Sequence, residues 1–132
     1  MINIKYFAVG FGGMIGSVLR FLVGNITFTV IFFPIGTLLV NLLGSFLLGL
    51  LTGFTKRTNN ISPIITTCIG TGMIGSFTTF STFSTEVVTL LQADHHYMAL
   101  GYVMSSIFFG LLLAFCGYYL GVKSDKKEEV RS

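Results

Sequence analysis

Between Thr78 and Thr85 the chain reads TTFSTFST, which sets six hydroxyls and two phenylalanines inside an apolar run. In hydrocarbon each polar side chain needs a partner or a cavity, so a cluster of this kind points to a pathway. Helical spacing puts Phe80, Phe83 and Ser84 on one face and Thr79 and Glu86 on the adjacent flank. Neutral hydroxyl and amide donors replace part of an anion's hydration shell, and aromatic ring edges carry the positive part of the quadrupole. A small anion is stripped gently by such groups, with no fixed cation to hold it too tightly. Phenylalanines at i and i+3 are also ordinary packing in a membrane chain with 14 Phe. Glu86 is the one acid well inside an apolar segment. Proton coupling, an entrance gate and a hydrogen bond to a neighbouring helix all suit it, and spacing does not choose among them.

Two further stripes carry polar chemistry. Thr37, Asn41 and Ser45 recur every four residues in GTLLVNLLGS and so share a helix face. A buried Asn needs a bonded partner, and interhelical bonding and ion contact are equal readings of Asn41. Tyr102, Ser106 and Gly110 repeat the same period, with Ser105 beside them. A polar stripe on each of two helices can line one narrow track.

The elements that must position these residues are membrane spans. The chain of 132 residues is 52% hydrophobic and 10% charged, with a mean hydropathy of +0.83. A soluble domain carries roughly 25% charged residues. A lipid bilayer is therefore the expected environment, and no nucleic-acid partner is expected. No small-residue cleavage pattern stands out, so no signal peptide is read. Cys68 and Cys116 lie in apolar runs, where a thiol acts as a small hydrophobe. A span needs about 20 apolar residues, and four segments qualify: Tyr6 to Phe28, Ile35 to Phe54, Ile61 to Leu91 and Tyr97 to Val122. The expected organisation is an all-α integral membrane protein, with one four-span unit over 1–122 and a polar tail over 123–132.

The third segment is too long for a single crossing. As a straight helix it would run to roughly 46 Å, against a hydrocarbon core of about 30 Å. Gly70, Gly72 and Gly75, then Ser76, are poor helix formers just ahead of the hydroxyl cluster, so a break is expected near Gly75. Close helix packing is the other reading of these glycines.

Four spans put the N-terminus, the link after the second span and the tail on one side. That side carries Lys5, Lys56, Arg57, Lys123, Lys126, Lys127 and Arg131, and the other two links carry no Lys or Arg. The positive-inside rule then places both termini in the cytoplasm. Arg20, a few residues before Gly24 and Asn25, suits snorkelling to the far headgroups or adding positive potential at a pore mouth.

Taken together, GGMIGSVLR at Gly12 to Arg20, GTLLVNLLGSFLLG at Gly36 to Gly49 and GTGMIGSFTTFSTFSTE at Gly70 to Glu86 resemble the Fluc fluoride channels, also called CrcB proteins. The resemblance covers residues 8 to 122. It implies a channel and not an enzyme: an antiparallel dimer of four-span subunits, with two fluoride pores and a structural sodium ion that is not transported. By the same resemblance, backbone carbonyls of Gly75 and Thr78 would hold the sodium. Asn41 would be a pore donor, Phe80 and Phe83 would reach each pore from opposite subunits, and Tyr102 and Ser106 would continue the track. Thr37 and Ser84 complete the pore candidates, with Arg20 and Glu86 at the mouth. Gly110 stands where the family often has another hydroxyl. The implied role is passive efflux of fluoride across the bacterial cell membrane, which lowers its toxicity.

A proton-coupled exporter of the small multidrug-resistance type is the main rival, but it should carry an acid in its first span, and this one has Arg20. A purely structural membrane protein explains the glycines and phenylalanines as packing but gives no reason for hydroxyls at a helix break. The concentration of basic residues on one side also suggests pairing with a homologous subunit of opposite bias, with a simple homodimer as the alternative.

Overall fold

A computed structural model describes residues 3–25, 33–58 and 60–123, and every regular element among them is helical. Helix α1 spans Ile4–Gly24 and α2 spans Ile35–Arg57. The third crossing contains α3 (Pro63–Thr67), a π-helical stretch (Cys68–Ile74), α4 (Gly75–Phe77) and α5 (Phe80–Gln92). Helix α6 spans His96–Lys123, one residue past the expected end of the four-span unit at Val122. Four stretches are long and apolar enough to cross a membrane: Ile4–Gly24, Ile35–Arg57, Pro63–Gln92 and His96–Lys123. The expected end of the first span at Phe28, and the tail beyond Lys123, lie outside the described residues.

The third crossing is broken near its middle, though not at Gly75. Gly75 has helical dihedrals (φ −62°, ψ −35°), and its N–H reaches back five residues to the Gly70 carbonyl. The chain leaves the helix at Thr78 (ψ 158°), runs extended through Thr79 (φ −147°, ψ 124°) and re-enters at Phe80. The Thr79 hydroxyl accepts from the Thr82 N–H at 3.2 Å and so caps the new helix. Helix α3 starts in the same manner, with the Ser62 hydroxyl accepting from the Ile64 N–H and Pro63 in the first turn.

Small residues set the helix packing. A methyl built on Gly49 or Gly53 of α2 would strike the Ala114 or Tyr118 carbonyl, and one on Gly117 or Gly121 of α6 would strike that of Phe46 or Leu50. Two small-xxx-small pairs thus face each other backbone to backbone. Gly12 and Gly16 bring α1 equally close to Cys68 and Met73 of the π-helical stretch. At the far end, His95 N–H bonds the Leu90 carbonyl and Asp94 N–H that of Leu91, with Asp94 in the left-handed region (φ 60°). That turn seats Tyr102, fully buried, among Leu90, Ala99 and Phe83.

Candidate functional site

Asn41 explains where the third crossing breaks. Its Oδ1 accepts from the Thr79 N–H at 2.8 Å, and its Nδ2 donates to the Thr79 carbonyl at 3.0 Å. The carboxamide thus stands in for the backbone partners that Thr79 gives up on leaving the helix. A carboxamide has two N–H donors. One is spent on Thr79, which leaves one over.

The same diversion frees a carbonyl. In a continuous helix the Gly75 carbonyl would accept from Thr79 N–H; here it keeps a 3.4 Å contact from the Thr78 hydroxyl, which also donates to Ile74 at 3.1 Å. Gly75 is exposed. Hard carbonyl oxygens at a helix break suit an alkali cation, and no His, Cys, Asp or Glu cluster able to hold a metal occurs among the described residues.

Two cavities meet at this break. One, of about 440 Å³, is lined by Asn41, Ser45, Gly75, Phe80, Phe83 and Ser106, with Thr78 and Thr79 beside them. The other, of about 430 Å³, is lined by Ser17, Arg20, Thr37, Thr79, Thr82 and Glu86. Thr79 borders both, so the Asn41–Thr79 pair forms the partition between them.

The sequence-derived pore candidates therefore divide. Asn41, Phe80, Phe83 and Ser106 share the first cavity, whereas Thr37 lies in the second with Arg20 and Glu86. Tyr102 is buried, and its hydroxyl donates to Glu86 Oε2 at 2.7 Å. Thr37 donates to Glu86 Oε1 at 2.8 Å. Both carboxylate oxygens are thus bonded to neighbouring helices, α2 and α6, which is one of the three roles spacing left open. Ser84 lines neither cavity; its hydroxyl donates to its own helix at Phe80. Ser45 and Ser106 likewise donate one turn back, to the Asn41 and Tyr102 carbonyls at 2.9 and 2.7 Å. Either hydroxyl must rotate to serve a ligand.

The rings sit unequally. Phe83 packs on Tyr102 with centroids 4.9 Å apart, while Phe80, 6.0 Å from Phe83, is 80% exposed. Sequence reasoning placed Thr79 only on a flank and missed its pairing with Asn41. The available signal was a hydroxyl residue immediately ahead of a helical run, the usual mark of a helix N-cap.

A profile described as "CrcB-like protein, Camphor Resistance (CrcB)" matches residues 7–118. The chain is 43% identical over 113 residues to a Fluoride-specific ion channel FluC 1 of Desulfitobacterium hafniense, covering 86% of this chain and 99% of that protein. It is 47% identical over 118 residues to a Fluoride-specific ion channel FluC 1 of Bacillus cereus, with 88% and 82% covered. A Fluoride-specific ion channel FluC of Oceanobacillus iheyensis is 40% identical over 119 residues, with 90% and 92% covered.

Proposed function

The chain belongs to the CrcB family, and from that premise we propose that it is a subunit of a fluoride-selective channel that passively exports fluoride through a bacterial cell membrane. It is a transport protein rather than an enzyme. The observation that carries the reading is the Asn41 carboxamide, fixed on Thr79 with one N–H to spare, in one cavity with the rings of Phe80 and Phe83. A neutral amide and ring edges replace hydration around a small anion without a full countercharge. Arg20 in the adjoining cavity raises the local anion concentration at the mouth. Glu86, bonded on both oxygens, holds α2, α5 and α6 together beside it.

One chain does not complete this site. An exposed helix break is costly against lipid, because its backbone groups find no water there. A second subunit in antiparallel orientation covers Gly75 and the protruding Phe80, and gives each pore rings from both chains. The Gly75 and Thr78 carbonyls of the two subunits would hold one sodium ion, which supplies a structural cross-link and is not transported. Purified protein in liposomes should release fluoride and retain chloride, and should lose most of its flux when a large organic cation replaces sodium throughout. Equal fluoride and chloride release sinks the selective-channel reading, and undiminished flux without sodium removes the ion from it.

The partner is a homologous subunit of opposite charge bias, because the basic residues assigned to one side fix both termini in the cytoplasm. A reporter cysteine in the link that follows Lys56, labelled on intact cells, should react only from the inside. Equal labelling from both sides establishes dual insertion and a homodimer instead.

A further inference from the structure

The third crossing carries a further polar feature ahead of the break. From Thr66 to Thr79 only Thr71 and Gly75 are exposed, and the rest are buried or half-buried. Neither offers lipid a large apolar side chain, whereas the exposed faces of α1 and α6 are dense with Phe, Leu and Ile. Thr67 and Thr71 precede Gly75 at intervals of four, so the three fall in one column along the crossing. The hydroxyls of this column differ. In α3 the Thr66 and Thr67 hydroxyls donate one turn back, to the Ser62 and Pro63 carbonyls at 3.4 and 2.7 Å. Thr71 lies in the π-helical stretch, where backbone N–H groups reach back five residues rather than four. Its hydroxyl has no hydrogen-bond partner among the described residues. A bare hydroxyl in hydrocarbon is costly, so a polar group or an ion must meet it.

We propose that Thr71 is a station on the route by which a sodium ion reaches and leaves the break, with the Thr67–Thr71–Gly75 column as the path. The inference rests on the sodium reading above and deepens it. Helical side chains lean toward the start of their helix, so the Thr71 hydroxyl lies on the α3 side of the Gly75 carbonyl and meets an approaching ion first. A hydroxyl oxygen is a hard ligand that replaces one water of an alkali cation. A single neutral oxygen also lets the ion go, as a multi-site path requires. In the antiparallel dimer of that reading, two-fold symmetry repeats the column from the opposite membrane surface.

Sodium exchange tests the route without reference to fluoride flux. The full chain, purified in detergent, is loaded with radioactive sodium, and release into N-methylglucamine buffer is followed by rapid filtration. Thr71→Val keeps the side-chain shape and removes the hydroxyl. It should slow both loading and release at least tenfold while leaving equilibrium occupancy unchanged. Thr71→Ser, which restores a hydroxyl, should exchange as the parent does. Parent-like exchange by Thr71→Val overturns the proposal. So does a fall in its occupancy with an unchanged loading rate, which makes Thr71 a ligand of the site itself. Loss of the dimer in Thr71→Val also overturns it, since the hydroxyl is then a contact between subunits. A parent that retains no radioactive sodium removes the sodium site altogether, a result separate from any difference between the Thr71 variants.

Discussion

Asn41→Asp is expected to abolish fluoride flux through the reconstituted channel. The substitution removes the Nδ2 donor that meets the Thr79 carbonyl at 3.0 Å and sets a second oxygen against that carbonyl. It also places a negative charge on the proposed path of the anion. Two like charges 4 Å apart repel by about 4 kcal/mol at an effective dielectric near 20, which corresponds to roughly a thousandfold in rate. Phe80→Ile and Phe83→Ile keep an apolar side chain and remove the ring quadrupole, whose specific interactions are worth about 0.5–1.5 kcal/mol. Each should therefore slow flux by up to about tenfold. Fluoride release from liposomes, normalised to protein that elutes as the parent does, reads all three. Parent-like conduction in every variant means the anion path lies elsewhere.

Much of this site was legible in the residues because membrane chemistry narrows the choices. Too few charges, four apolar runs and one run too long for a crossing gave the four spans and a broken third span. The four-residue spacing of Thr37 and Asn41 put them on one face of α2, and both do reach the third crossing. The position of the break was misjudged by three residues because glycine lowers local helix propensity but does not by itself end a helix. Gly75 stays helical, and the break falls where a carboxamide 38 positions earlier offers the backbone an alternative partner. No local pattern encodes a bond of that range. Glu86 is similar. Its spacing permitted three roles, and only the fold shows Thr37 and Tyr102 on its two oxygens. The Tyr102 to Ser106 stripe was real as a helix face, yet half-buried neighbours turned Tyr102 into the core and left Ser106 on the cavity.

Gly44 links helix packing directly to the break, and the link can be cut and repaired. It is buried one turn past Asn41, and a methyl built on it would run into the Thr78 Cγ2 methyl, with a Phe77 ring carbon at 3.7 Å. Thr78 is where the chain leaves the helix, so strain introduced at Gly44 acts on the carbonyls proposed for sodium and on the Asn41–Thr79 pair. Overpacking of this kind costs about 1–3 kcal/mol. Gly44→Ala should therefore lower thermal stability and reduce fluoride flux by roughly five- to a hundredfold. Thr78→Ser removes the obstructing methyl and keeps the hydroxyl that donates to Ile74 at 3.1 Å, so by itself it should change little. Combined, the two substitutions trade one methyl for the other, and the double variant should recover most of the lost stability and flux. Residues in contact are expected to couple by 0.5–3 kcal/mol in such a cycle. Strictly additive losses in the double variant would show that Thr78 is not held in place by the absence of a side chain at Gly44.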